Sequence, residues 1–513
     1  MKISRGALAV AAVATALHLA LSNNYGLYRD EFYFIDCARH LAWGYVDQPP
    51  LVPFLVSLAA PFGFAGWAVR FFAVLASGAT ILGGALIVRE LGGKGYAQTL
   101  AALAIALAPG SSILASALST SSFESVTWTF FAYLTIRIVK GADPRWFLGL
   151  GIIAAFALYC KYSIEFEAFA LGLALVLTRR RRALATGWLI AGAAVCVALL
   201  LPNAIWEWQH GFPILQVLHA DALNRNGLTT GLNDESSQRW INAGLFTAMQ
   251  IVYQNPILAV VWIWGLIWLG FNRAATPFRY LALAYALLFV TMIWLVARPY
   301  YMVGYYPILD AAGAVAIAAA LERAVRWRIP LALALGAVAA IVVPFMLPLL
   351  PLPAFNQYAA ALGIRKIGPS GRLLLMHPLF ADEIGWRETT AMVAGVYRTV
   401  PQSQRSDTAI FADTYGLAGA IDLYGPEYGL PAAISGHENY WLWGPRDYTG
   451  DQMIAVGASN YHLWVKLYRS VRQVAVYRND DRWTLEGPLP IYLLTGPREP
   501  LAQMWPSLKR YGL

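Results

Sequence analysis

Charge is scarce in this sequence: 13% of its 513 residues are Asp, Glu, Lys or Arg, 58% are hydrophobic, and mean hydropathy is +0.51. So little charge over so long a chain is membrane composition, not that of a soluble or disordered protein. Cysteine is scarcer still. Cys37, Cys160 and Cys196 show neither metal-ligand spacing nor a paired framework, so no disulfide is assigned. There is no HExxH, CxxC, Walker A loop or GxSxG, and ATP-driven transport and serine hydrolysis therefore have no support in the sequence. The formal charge of +9 comes largely from short basic clusters between apolar runs. The positive-inside rule accounts for those, and no nucleic-acid partner is expected.

Apolar runs are what the chain has in abundance. They recur from Gly6 to about Phe355, and a run of about 20 residues crosses the hydrocarbon core. Spans are expected near residues 6–22, 71–88, 97–116, 123–139, 147–160, 163–178, 184–201, 244–271, 280–297, 304–321 and 329–352, about 11 transmembrane helices in all. The fold class is thus a polytopic α-helical membrane protein, residues 1–353, with a soluble domain, residues 354–513. In the latter, the runs "DTAIFA", "MIAVGA", "RQVAVYR" and "LPIYLL" alternate with helical stretches such as "DTYGLAGAIDLYG", the pattern of a small α/β domain.

A cytoplasmic N-terminus puts Arg89 and Lys94, Lys140 and Arg145, Arg179–Arg182, Arg273 and Arg279, and Arg323, Arg326 and Arg328 all on the cytoplasmic side. A cleaved signal peptide is the alternative for residues 6–22, but its removal would invert the loops relative to these clusters. With about 11 spans the C-terminal domain lies outside, which in a Gram-negative cell is the periplasm, and the chain sits in the bacterial inner membrane. The same arithmetic puts on the outer side "YRDEFYFIDCARHLAWGYVDQPPLVPF", the turn at Ser119–Phe123, the turn carrying Lys161, residues 202–243 and "ARPYY". The proline-broken segment "PPLVPFLVSLAAPFGFAGW" reads as interfacial or re-entrant helix.

Asp30 and Glu31 stand at the outer exit of the first span, and Asp47 returns in the same loop before "QPPL" turns the chain back. The plain reading is a solvated pair or an N-cap for a helix starting at Phe32. The chemical reading is a carboxylate at the water–lipid boundary that deprotonates an acceptor hydroxyl while a lipid-borne substrate stays in the membrane. Lys161 in "YCKYS" and Arg298 in "ARPYY" either snorkel to the headgroups or bind the phosphates of a lipid phosphate or diphosphate. Their neighbours Tyr159, Tyr162, Tyr300 and Tyr301 equally suit an interfacial belt. Glu124, after the hydroxyl-rich "LSTSS", has as partners a metal, Lys161, Arg298 or water; Glu165 and Glu167 are open in the same way. His210 in "WEWQHGFP" is a ligand or acid candidate, more often structural at such a position. Asp30, Asp47 and Glu124 together are candidate oxygen ligands for a divalent cation.

"YRDEFYFIDCARHLAWGYVDQPPLVPFL", "LPNAIWEWQHGFP", "RPYYMVGYYPILDAAGAVAI" and "TYGLAGAIDLYGPEYGLPAAISGHENYWLWGP" together resemble bacterial family-39-type glycosyltransferases of the GT-C fold. These are relatives of protein mannosyltransferases and of the aminoarabinose transferase that modifies lipid A. The resemblance implies inverting transfer of a sugar from a polyprenyl-phosphate donor to a lipid, glycan or protein acceptor at the periplasmic face. It makes Asp30 the base, with Glu31 beside it; Asp47, Gln48, Lys161, Arg298, Tyr301 and His210 are the candidate substrate and phosphate residues. Where aminoarabinose transferases carry an acid–lysine pair, this chain has Asp47–Gln48, so Lys161 or Arg298 is expected to supply the charge. Where many relatives have lysine before the tyrosine pair, it has Arg298–Pro299. The rivals are a flippase of polyprenyl-linked sugars, which would place its polar residues near the bilayer midplane, and a non-catalytic envelope-assembly scaffold.

Overall fold

The computed structural model describes residues 2–228, 235–364, 378–457, 459–479 and 488–512. They form two compact units. One comprises Met1–Ser22, Arg70–Ile205 and Leu228–Leu349; the other comprises Asn23–Val69, Trp206–Gly227 and Leu350–Leu513. The first loop and residues 206–227 thus group with the C-terminal residues.

The first unit is helical, since apolar runs without breakers satisfy their backbone only within the helix. Gly66–Glu90, Gly187–Gln209, Thr276–Trp294 and Pro299–Ala320 are long and apolar enough to cross a membrane; Arg5–Leu21, Trp146–Cys160 and Ala259–Phe271 are shorter apolar helices. The expected spans 123–139 and 163–178 coincide with Glu124–Val139 and Ile164–Leu177, of 16 and 14 residues.

Three expected spans are broken, each at a proline that removes a helix donor and disfavours helix at the residue before it. Span 97–116 is the pair Gly95–Ala106 and Pro109–Ser116, bent by 60°. Span 244–271 divides into Glu235–Tyr253 and Ala259–Phe271, with Asn255 at φ 62° before Pro256. Span 329–352 is helical only over Arg328–Ala340, followed by a 3-10 turn, Val343–Phe345, around Pro344. Asn255 repairs two of these breaks, its amide donating to Leu107 O at 3.2 Å and Ala339 O at 3.4 Å. Where Ala259–Phe271 meets Tyr306–Ala320 the backbones touch. A Cβ on Gly313 would stand 1.8 Å from Val261 O, and one on Gly265 2.1 Å from Leu309 O.

The second unit contains a four-stranded sheet built from the four apolar runs: β1 (Thr408–Ala412), β2 (Gln452–Val456), β3 (Tyr468–Tyr477) and β4 (Leu489–Pro497). Its order is β1-β2-β4-β3, with β1 and β2 parallel and the other pairs antiparallel. Ile410 pairs with Ile454, and Ile454 with Leu493. Phe411, Met453, Trp464, Leu494 and Trp505 form the core beside the sheet. The crossover from β1 begins with helix Tyr415–Tyr424, the expected "TYGLAGAIDLYG" element. Its glycines face the helix Arg29–Arg39 of the first loop: a Cβ on Gly416 would lie 2.3 Å from Arg29 Cγ, and one on Gly419 2.8 Å from the Phe32 backbone. Glycine spacing thus lets the acid-bearing helix lie directly on the crossover helix. The proline-broken segment forms Leu51–Ser57 and a 3-10 turn, Ala60–Phe62, with Phe54, Leu58 and Phe62 exposed.

Candidate functional site

The helix Arg29–Arg39 starts three residues earlier than expected. Its first turn is closed by Glu31, whose carboxylate accepts the Tyr28 N–H at 2.7 Å and so satisfies one donor that every helix start leaves over. Glu31 is fully buried. Asp30, its neighbour, keeps 26% of its side chain exposed, and its Oδ1 accepts the Tyr415 hydroxyl at 2.7 Å, with Arg29 Nε at 3.6 Å. Arg29 Nε also lies 3.7 Å from Asp382. Two adjacent carboxylates therefore have different jobs: one caps a helix inside the protein, the other is presented at its surface.

Asp47 is held in a parallel way. Its Oδ1 accepts the Tyr33 hydroxyl at 2.8 Å, and the rings of Tyr33 and Tyr415 stack with centroids 4.8 Å apart. His437 stacks on Tyr415 at 4.9 Å. Burial, reinforced by the nearby carboxylates, pushes both phenols well above their ordinary value, so each stays a donor. Burial lowers His437 to about 3, so the imidazole is neutral. Its Nδ1 accepts the Tyr415 N–H at 3.2 Å, which leaves Nε2 to donate to Gly512 O at 3.2 Å. The two loop acids thus hang from neighbouring phenols of one aromatic stack.

Gln48 is buried, with its amide 3.9 Å from Cys37 Sγ, and shapes the loop from inside. His210 is exposed at the end of Gly187–Gln209; it stacks on Trp206 at 4.1 Å and donates from Nδ1 to Trp206 O at 2.8 Å, a capping arrangement.

The first unit holds the expected cations. Lys161 Nζ lies 3.2 Å from Glu124 Oε1, 2.6 Å from Ser121 Oγ and 4.3 Å from the Tyr301 ring centroid, with Tyr300 at 5.4 Å. Ser163 donates to Glu124 as well. Of the partners open to Glu124, Lys161 is the one observed. Arg298 is exposed at the head of the 3-10 helix Pro299–Tyr305, just after Val296, whose φ of 52° is strained for a β-branched residue. Glu167 is fully buried. At the opposite end of Glu124–Val139, Lys140 and Arg89 both pair with Glu90, at 2.8 and 3.2 Å.

Among the described residues no three His, Cys, Asp or Glu gather as a ligand set. Of the divalent-cation candidates, Asp30 and Asp47 engage phenols, and Glu124 engages Lys161 and Ser163. Tyr415, Tyr33, His437 and Asn439 had gone unrecognised as site residues. All but Tyr33 lie in "TYGLAGAIDLYGPEYGLPAAISGHENYWLWGP", so the resemblance carried by that stretch was the available signal.

Residues 47–206 match the family model described as dolichyl-phosphate-mannose-protein mannosyltransferase. No curated protein matches the chain. Among solved structures, ArnT from Cupriavidus metallidurans in the apo state is similar, with a TM-score of 0.59 at 15% identity over 96% of this chain and 98% of that one. The same protein bound to undecaprenyl phosphate gives 0.59 at 14% identity over 96% and 99%. The chain thus shares the fold of ArnT over nearly its whole length, and residues 47–206 are similar to the mannosyltransferase family model.

Proposed function

We propose that this protein is an inner-membrane enzyme that transfers a sugar from a polyprenyl-phosphate donor to a lipid, glycan or protein acceptor at the periplasmic face, with inversion. Asp30 takes the proton of the acceptor hydroxyl as its oxygen attacks the anomeric carbon. The bond from that carbon to the phosphate oxygen breaks, and the lipid phosphate departs with the electron pair. Lys161 and Arg298 stabilise the charge on the leaving phosphate, with Tyr301 beside Lys161. Asp47 orients the acceptor, while Glu31, Gln48 and His210 maintain the surrounding elements.

The observation that carries this reading is the contrast at the first loop: Asp30 is partly accessible and held by a phenol, whereas Glu31 is sealed. One displacement needs one base and no covalent sugar intermediate, which suits a single presented carboxylate. The similar ArnT has been solved with undecaprenyl phosphate, a carrier of the proposed donor class. The orientation, about 11 spans with the N-terminus cytoplasmic and residues 354–513 periplasmic, is supported by the basic cluster of Arg89 and Lys140 at the end of Glu124–Val139 away from Lys161. Exposed Phe54, Leu58 and Phe62 suit a segment that faces lipid.

The test is reconstitution in vesicles with undecaprenyl-phosphate sugars of several hexoses and pentoses. Acceptor-dependent release of undecaprenyl phosphate, with the anomeric configuration inverted in the product, is expected. Movement of intact donor across the bilayer without release would sink the proposal in favour of a flippase.

A further inference from the structure

We propose that Tyr415 is the positioning residue of Asp30, and that the stack Tyr33–Tyr415–His437 sets the orientation of both loop acids. This rests on the reading of Asp30 as the base. It adds that the competence of the first loop is supplied from 385 residues away.

Tyr415 is rigidly placed. It opens helix Tyr415–Tyr424 immediately after β1, with Thr414 capping through Leu417 N–H at 3.5 Å. The intervening Asp413 is tied to Ser459 N–H at 2.6 Å and Asn460 Nδ2 at 3.1 Å. The close packing at Gly416 and Gly419 then brings its phenol to the acid helix. A phenol has one hydrogen to give, and a carboxylate can only accept, so the contact fixes which way Asp30 faces.

Tyr33 is equally determined. Its hydroxyl accepts the Asn439 N–H at 3.3 Å, which leaves its own hydrogen for Asp47. The Asn439 side-chain oxygen accepts the N–H of Val46, the residue before Asp47, at 2.6 Å. One residue therefore braces both the phenol and the loop that carries the acid.

The two braces, His437 and Asn439, flank Glu438, whose φ of 48° and ψ of −133° are sparsely populated for a residue with a Cβ. Such strain persists only where the surroundings enforce it, and it clusters at functional sites. Here Glu438 N–H donates to Arg510 O at 3.1 Å, and its Oε1 accepts Gly512 N–H at 2.8 Å. The kink gives the neighbours different partners, His437 the Tyr415 backbone and Asn439 the Tyr33 hydroxyl. A purely structural role would not call for both ring hydroxyls to end on the two partly accessible loop acids.

The test compares Tyr415→Phe, which keeps the ring and deletes the hydroxyl, with the parent chain, using the undecaprenyl-phosphate sugar that supports parental turnover. The expected result is a fall in kcat of about 10- to 100-fold with the donor KM within about twofold, since misplacing a reacting group costs rate more than binding. Should Tyr415→Phe not fold, Tyr33→Phe serves, with an expected loss in kcat of about three- to tenfold on the same principle. Parental kcat in a folded Tyr415→Phe alongside an inactive Asp30→Asn overturns the positioning of Asp30, and parental kcat in Tyr33→Phe overturns that of Asp47; either result leaves the base assignment standing. Parental kcat in Asp30→Asn overturns the base assignment itself.

Discussion

At Asp30 and Glu31, one peptide link along the chain separates a carboxylate that water reaches from one that it does not. The difference follows from helix geometry: the residue whose side chain can fold back onto the backbone donor before the first turn becomes a cap. Glu31→Ala is therefore expected to lower stability by about 1 kcal/mol, the usual worth of a lost cap, read as a reduced melting temperature. Lys161 makes a different prediction. It is paired with buried Glu124, so Lys161→Met leaves an uncompensated acid and destabilises the protein. Adding Glu124→Gln should restore the melting temperature. If Lys161 receives the lipid phosphate, the double variant should still bind undecaprenyl phosphate about tenfold more weakly than the parent, the loss of one charge-assisted contact. Parental affinity in equilibrium binding would remove Lys161 from the phosphate site.

At the scale of elements, what was legible in the sequence was whatever depends on neighbours along the chain. Four short apolar runs became four strands, and "TYGLAGAIDLYG" became a helix, because burial and period are written locally. Hydropathy alone overlooked the breaks at Pro109, Pro256 and Pro344, since it counts apolar residues and not missing donors. The acids at Asp30 and Asp47 stood out by position, but their phenol partners did not. The contact from Tyr415 depends on a helix–helix approach that no local pattern encodes. That approach is itself testable. Gly419→Val places side-chain carbons against the Phe32 backbone and should cost about 1–3 kcal/mol through overpacking. Because the acid helix must then move from Tyr415, turnover should fall by more than the loss of folded protein, measured as kcat per folded molecule.

At the scale of the whole molecule, two buried groups of the second unit give stability a definite pH dependence. Burial, then Asp36 beside it, raises Asp422 to about 8, whereas burial lowers His437 to about 3. Arg446 and Arg39 also act on Asp422, in the opposite direction. The native state keeps a proton on Asp422 that the unfolded chain releases near 3.8, so this contribution, full below 3.8, is lost as pH rises to about 8. His437 has the opposite sign. Between about 3 and 6.5 the unfolded imidazole binds a proton that the native one does not, and stability rises with pH. The two offset one another up to pH 6.5, and above it the Asp422 loss is no longer opposed by His437. The melting temperature should fall from pH 6.5 to about 8 and then level, and Asp422→Asn should flatten that fall.

The central claim is that the presented carboxylate of the first loop is the base of a sugar transfer from a lipid phosphate. Its most direct measurement is single-turnover release of undecaprenyl phosphate from an undecaprenyl-phosphate sugar by the parent and by Asp30→Asn, matched in melting temperature and in affinity for undecaprenyl phosphate. The account predicts that the parent releases the lipid phosphate and that Asp30→Asn does so at least about 100-fold more slowly, the loss expected of a missing general base. Release by Asp30→Asn at the parental rate would contradict it.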